Sequence, residues 1–402
     1  MEVKERVLKV VHWEHFFMCV VVAITLAMHF STVSPPADTI LDEIHYVKDA
    51  RVIITEHETE RPEHPDLAKL IIVGGIEAFG DNAWGWRVFP ILFGTAGIVM
   101  FYFLCRKLEM GRTGSNLATF LLAFENASYV QNHVAMLDVF YVTFMIAAFL
   151  LYVSKRYLLS GVGIGLSALS KLDGALAAPV VFVHWLFSKR QKRSPWFGLT
   201  ALFSIITFME GMILFAWIIT RQFNASIDPI ARIREMLQLT GSLTFANVTH
   251  PALSRPWQWL IGYKPMAYYV DPHYTSAISF TVWALAIPAF VYMVWKAIRG
   301  SEAGLFGAAW FFGTYLIWIP LDIITNRATY PYYFYPTIGS LCIGIALGLS
   351  DLVGFFKRRR TGKLRWVAIS FVILVIVLHL VSFYILSPVF NYDYNWFLKV
   401  LI

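Results

Sequence analysis

Eleven apolar stretches set the pattern of this chain. They lie at about 13–33, 87–105, 114–129, 136–153, 157–170, 174–188, 196–220, 276–297, 303–320, 332–350 and 366–386. Each is continuously apolar rather than alternating. That predicts membrane-crossing helices and argues against barrel strands, in which apolar and polar positions alternate. Two stretches are weak: 114–129 holds Glu125 and Asn126, and 157–170 is short for a bilayer, so these two are expected to be tilted, broken or buried within the bundle. Two long polar intervals remain, 34–86 and 221–275. In the first, Leu41, Ile44, Val47, Ala50 and Ile54 recur every three or four residues and predict one face of a helix, with Thr39 as its cap. A second short helix is expected from Pro65, a favoured first helical position, with Leu67, Leu70 and Ile71 on its apolar side. Both suit helices lying at a membrane surface. Pro229 to Leu239 reads as another helix in the second interval. The fold class expected is an all-α polytopic membrane protein.

Composition supports this reading. Of 402 residues, 58% are hydrophobic and only 15% charged, against about a quarter charged in a soluble domain. The net charge of +7 does not require a nucleic-acid partner, because its distribution carries the information. Basic residues gather at Lys4, Arg6 and Lys9, and at Arg106, Lys107 and Arg112. They recur at Lys155 and Arg156, at Lys189 to Arg193, at Lys296 and Arg299, and at Lys357 to Arg365. These short stretches hold most of the 33 Lys and Arg. They recur before the first span and after every even one, so the positive-inside rule makes that side cytoplasmic and puts both long intervals on the outer face. Cys19, Cys105 and Cys342 fall in or beside apolar spans and read as packing residues, not as a disulfide or zinc framework. The first run, Trp13 to Val33, is too long for a signal-peptide core and reads as an anchor.

The candidate chemistry is concentrated in 34–86. Asp42 and Glu43 are adjacent acids. A carboxylate there would serve as a base toward an acceptor hydroxyl, with its neighbour holding the acceptor or the sugar. The same spacing also fits a capping box from Thr39 to Asp42 with Glu43 solvated. His64 and Lys69, in His64-Pro65-Asp66-Leu67-Ala68-Lys69, either face a polyanion or mark a plain loop-to-helix junction. Arg87 follows Trp84 and Trp86 at the mouth of the second span, where a guanidinium grips a lipid phosphate through two parallel hydrogen bonds or snorkels to headgroups. Asp138, with His133 five residues before it, lies just inside the fourth span, a costly depth for an acid. Lys171 and Asp173 end the fifth span and are placed to pair with each other. Arg327 precedes the tenth, beside Tyr330, Tyr332, Tyr333 and Tyr335, which read as an interfacial belt.

These pieces, taken in order, resemble the protein O-mannosyltransferase family of polyprenyl-phosphate-dependent glycosyltransferases. The matching segments are LDEIHYVKDA, EHPDLAKLI, GWRVFPILFGT, ENASYVQNHVAMLDVFYVTF, ALSKLDG and SRPWQWLIGYKP. The resemblance implies the GT-C membrane fold, Asp42 as base with Glu43 as its partner, and Arg87 with nearby basic residues at the donor phosphate. Aminoarabinose transferases to lipid A share that fold, and there the places of His64 and Asp138 lie near a metal. The chain departs from the family at Asp66, where a second proline is usual, at His133, where arginine is common, and at Asp173. Its second outer interval is too short for the β-trefoil domain of eukaryotic members, so a compact prokaryotic or archaeal relative is implied.

The reading is an inverting glycosyltransferase that moves a sugar, mannose first, from a dolichyl- or polyprenyl-phosphate to a protein Ser/Thr, glycan or lipid hydroxyl. One membrane domain, 1–402, is expected, with 34–86 as the catalytic loop. Asp42 and Glu43 are the catalytic pair. Arg87, Lys69, Lys171 and Arg327 are assigned to the donor phosphate; His64, His133, Asp138 and Trp257 to the acceptor or sugar. No cofactor is expected to be required. A divalent metal is the alternative; His64 and Asp138 alone are too few for a tight zinc site, and His250 is the natural third ligand. The partners are the lipid-linked donor, the acceptor and membrane lipids, with no nucleic acid. The competing class is a transporter or lipid flippase, whose charges should line a path to both faces. Here the unusual acids cluster on one. A non-catalytic lipid-binding subunit would keep Arg87 and lose Asp42.

Overall fold

The computed structural model describes residues 13–222, 228–358 and 362–390. Lys4, Arg6, Lys9, Arg359 and Arg360 of the basic stretches lie outside them. The described residues open with α1 (Phe16–Ser31), then α2 (Glu43–Glu56) and α3 (Leu67–Phe79) from the first polar interval. The bundle continues with α4 (Ala83–Lys107), α5 (Gly111–Ala123), the short α6 (Asn126–Gln131), α7 (Leu137–Val153), α8 (Tyr157–Ser170), α9 (Ala177–Phe187) and α10 (Gly198–Thr220). The second interval supplies α11 (Pro229–Ser242), α12 (Gln258–Ile261) and a hairpin of β1 (Met266–Tyr269) and β2 (Tyr274–Ser276). The last helices among the described residues are α13 (Phe280–Ile298), α14 (Glu302–Phe311), α15 (Trp318–Thr325), α16 (Ile338–Arg358) and α17 (Gly362–Leu386). The hairpin corrects the all-helical expectation locally: Met266, Tyr268 and Tyr274 are buried against Ile40, Val130 and Val134, so strand-type alternation there serves packing.

Every expected apolar stretch is helical, but the count of eleven spans is not established. Among the described residues six helices have the length and apolarity to cross a membrane, and four apolar ones are shorter. The weak stretch at 114–129 is broken. Glu125 ends α5, and its carboxylate accepts from Ser128 N at 2.6 Å and from Ser279 N at 2.7 Å, which starts α6 and ties it to the head of α13. The short α8 is buried between α7 and α10. A Cβ on Gly161 would lie 2.5 Å from Thr200 O, so the close approach of α8 and α10 needs glycine there, the way small residues bring membrane helices together.

Ordinary end signals bound the longer helices. Asn82 accepts from Trp84 N and Gly85 N to start α4; Asp228 does the same for α11 ahead of Pro229. The core spans most of the bundle, with Phe149 between Phe306 and Trp310 at ring distances of 5.3 and 4.9 Å. A second cluster, including Val47, Ile53, Ile72, Ile76, Trp86 and Leu137, seats α2 and α3 on α4 and α7.

The first interval differs from expectation in register. The buried face of α2 is Glu43, Tyr46, Val47, Asp49, Ala50 and Ile53, while Ile44 is 55% exposed. Thr39 does not cap α2; it bonds to Asp38 instead, and Asp42 occupies the cap position without a side-chain capping bond. The following helix begins at Leu67, not Pro65. Two buried ion pairs account for the rotation of α2, because Glu43 and Asp49 are drawn inward by Arg87 and Lys69.

Candidate active site

The cleft lies at the end of the bundle where α4 begins, opposite its basic C-terminal turn of Arg106 and Lys107. It has two adjoining compartments, of about 420 and about 300 Å³, which share Glu63, His64, Lys171, Thr240 and Arg327. The larger compartment is lined by Asp42, His45, Tyr46, Arg61, His250 and the tyrosines 330, 332 and 333. Leu172, Leu176, Leu237, Leu321 and Trp318 give the smaller one an apolar wall.

Asp42 is placed at the N-terminal end of α2, half-buried, with its carboxylate making no hydrogen bond among the described residues. Burial raises its pKa; Lys171, His45, Arg61 and His250 pull it back. The result is a carboxylate more basic than an ordinary aspartate and facing open space. That is what proton abstraction requires. His64 is held neutral, its pKa well below normal, by burial and by the charges of Lys171, Lys69, Arg327 and Arg61. A neutral imidazole suits a hydroxyl better than a phosphate.

Two cations face the junction of the compartments. Lys171 donates to both oxygens of buried Asp138 at 3.0 Å, lies 3.7 Å from Asp173, and sits 5.4 and 5.3 Å from the rings of Tyr332 and Tyr333. Its charge is therefore already matched. Arg327 has no carboxylate partner among the described residues; it reaches Tyr333 Oη at 3.4 Å and lies over the Trp318 and Tyr333 rings. Of the two, Arg327 is the better placed to meet an anion.

Asp42, His64, Lys171, Arg327 and His250 thus come together, with Asp138 behind Lys171. The others do not line the cleft. Arg87 is fully buried and spends its N–H groups on Glu43 (3.1 and 2.8 Å) and on the carbonyls of Val33, Pro36 and Asp38 (3.0, 2.7 and 2.7 Å). None is left for a lipid phosphate. Glu43 is equally occupied, accepting also from Ile40 N and Ala135 N, and is neither solvated nor open to a substrate. Lys69 is buried under the 57–66 loop, where Thr59, Arg61 O and Asp66 take its protons. His133 pairs with His29 at 3.2 Å and with Thr32 O. Trp257 lies at the surface, 36% exposed, with the Arg255 guanidinium 5.9 Å from its ring. The tyrosines 330, 332 and 333 are cleft walls, not a belt. Sequence reasoning missed Arg61, His45 and Tyr46, although Arg61 stands three residues before His64. No group of three or more His, Cys, Asp or Glu is placed to hold a metal among the described residues.

The chain is an integral membrane protein with the GT-C glycosyltransferase fold. It superposes on the Pmt1–Pmt2 protein O-mannosyltransferase complex of S. cerevisiae bound to its sugar donor with a TM-score of 0.75 at 10% identity, covering 94% of this chain and 90% of that one. ArnT from Cupriavidus metallidurans bound to undecaprenyl phosphate gives 0.63 at 16% identity, covering 94% and 77%. The sequence likeness is to protein O-mannosyltransferases: residues 63–213 match the family described as dolichyl-phosphate-mannose-protein mannosyltransferase. Among curated relatives, the polyprenol-phosphate-mannose–protein mannosyltransferase of Mycobacterium tuberculosis is 22% identical over 84% of this chain and 81% of its own. That of Corynebacterium glutamicum is 23% identical over 81% and 77%.

Proposed function

We propose that this protein is an inverting mannosyltransferase that moves mannose from a polyprenyl-phosphate donor to a hydroxyl acceptor, a protein Ser/Thr first. The observation that carries it is an unpartnered, half-buried Asp42 in the same cleft as Arg327 and beside an apolar compartment. The lipid phosphate sits at Arg327 and Lys171, with its first isoprene units along Leu172, Leu176, Leu237 and Leu321. The acceptor enters the larger compartment. Asp42 takes the proton of the acceptor hydroxyl, whose oxygen forms a bond to the anomeric carbon as the bond from that carbon to the phosphate oxygen breaks. The charge returned to the phosphate is stabilised by fixed cations. His64 holds a hydroxyl, and Asp138 holds Lys171. The chain works as one membrane domain whose N-terminus is cytoplasmic and whose cleft opens outward, because the basic stretches end helices on the side away from it.

The test is transfer by the purified protein from polyprenyl-phosphate mannose to a Ser/Thr peptide, followed by mass spectrometry. Absence of glycopeptide with glycan and lipid acceptors also unmodified would refute the reading. Turnover is expected to persist after exhaustive chelation, since Arg327 supplies positive charge that no carboxylate matches among the described residues. Loss of activity with rescue by one divalent ion would contradict that.

Arg327→Ala is expected to weaken binding of the lipid-phosphate donor by roughly 10- to 150-fold, the worth of about 1.5–3 kcal/mol for a hydrogen bond to a charged group. Arg327→Lys should recover only part, because a single ammonium lacks the planar fork. Donor titration in nanodiscs is the measurement, and an unchanged affinity in Arg327→Ala would move the phosphate elsewhere.

A further inference from the structure

The 57–66 loop forms one wall of the cleft, and its shape is fixed from beneath. We propose that Asp49, Thr59 and Lys69 form a buried bracket whose task is to position Arg61, a further substrate-facing residue of the transferase. The inference rests on the transferase reading above.

The geometry is specific to one residue of the loop. Lys69 Nζ donates to Arg61 O at 2.6 Å and to Thr59 Oγ1 at 2.9 Å, while Arg61 N donates to the same Thr59 oxygen at 3.2 Å. The Arg61 backbone is thus held at both its N–H and its C=O. Thr59 Oγ1 in turn lies 3.0 Å from both oxygens of Asp49, which also accepts from Glu60 N at 2.6 Å. Lys69 and Asp49 have no exposed side-chain surface and lie 3.5 Å apart; Asp66 takes another lysine proton at 3.1 Å. A lysine with three short acceptors and no exposure cannot serve a ligand directly.

The loop is nevertheless set by this lysine, and the bracket spans both flanking helices. Asp49 lies seven residues, about two turns, beyond Asp42 along α2, and Lys69 is on the first turn of α3. From the held backbone the Arg61 side chain turns to the cleft, where its guanidinium bonds to Glu63 Oε1 and to His45 Nδ1 on the first turn of α2. The bracket therefore fixes the distance between the Asp42 end of α2 and the Arg61 guanidinium beside it. A placement error of about 1 Å at such a point can cost roughly 100-fold in rate.

Lys69→Met would strand two buried carboxylates and unfold the loop, so the test uses Thr59. Thr59→Val keeps the volume and removes the hydroxyl that ties Arg61 N to Asp49 and Lys69. Its kcat in the mannosyl-transfer assay is expected to fall roughly 10- to 100-fold with donor KM within about twofold, while Thr59→Ser restores it. In an Arg61→Ala background, Thr59→Val should add little, because both changes act through the same side chain. Wild-type kcat in Thr59→Val, or losses that multiply with those of Arg61→Ala, would overturn the proposal. Wild-type transfer is the control for the reading beneath it. If the wild-type protein transfers no sugar to any acceptor, the transferase reading has failed and hydrogen exchange decides the bracket. Faster exchange at Glu60 and Arg61 in Thr59→Val then supports it, and unchanged exchange refutes it.

Discussion

Asp42→Asn is expected to lower turnover by roughly 10²–10⁴, the range lost with a positioned general base. The substitution keeps the size of the side chain and leaves the end of α2 undisturbed, because the aspartate side chain makes no capping bond there. Folding and donor binding should therefore persist. What disappears is basicity. The wild-type carboxyl titrates above the ordinary aspartate range because burial outweighs the nearby cations. A raised pKa means the base is lost from the acid side sooner than usual. Wild-type kcat should thus fall as pH drops through that raised value, and the Asn variant should show a low rate without this limb. Turnover of Asp42→Asn near the wild-type level, or an acid limb identical in both, would remove Asp42 from the chemistry.

The helices were legible in the chain because continuous apolarity over such lengths suits a lipid-facing bundle and little else. The start of α11 at Pro229 was legible too, and the helix begins there. The polar interval was harder for a physical reason. Hydrophobic periodicity assumes that charges face out, and in α2 it selects Ile44 over Glu43. A carboxylate that meets all its partners inside can displace an isoleucine to the surface, and Glu43 does so with Arg87, Ile40 N and Ala135 N. Two of these partners, Arg87 and Ala135, lie 44 and 92 positions away, a distance at which spacing says nothing. The same blindness moved Lys69 to the donor in the sequence reading, although it serves the loop above it. Lys171 and Arg327 flank apolar stretches on one face and Asp42 lies in the polar interval on that face, and all three line the cleft. Arg61 carried no such flag. Only the fold shows that its backbone is held on both sides.

The reassignment of Arg87 makes the second large prediction. Arg87→Ala should cost about 3–5 kcal/mol of stability, the range for removing one partner of a buried ion pair. Glu43 would be left charged in the interior, and three backbone carbonyls, those of Val33, Pro36 and Asp38, would lose their donor. Pairing it with Glu43→Ala should not restore stability. An apolar replacement rescues an ion pair only when the pair is self-contained, and here Ile40 N, Ala135 N and the three carbonyls would still lack partners. Arg87→Lys should fall between, since one ammonium cannot reach all the groups that the planar fork satisfies. The readouts are thermal stability in detergent and donor affinity of the folded fraction. Lower melting temperature with wild-type donor affinity in the surviving protein is the expected pair of results. Unchanged melting with a large loss of donor affinity would return Arg87 to the phosphate and overturn the role that its five hydrogen bonds assign to it.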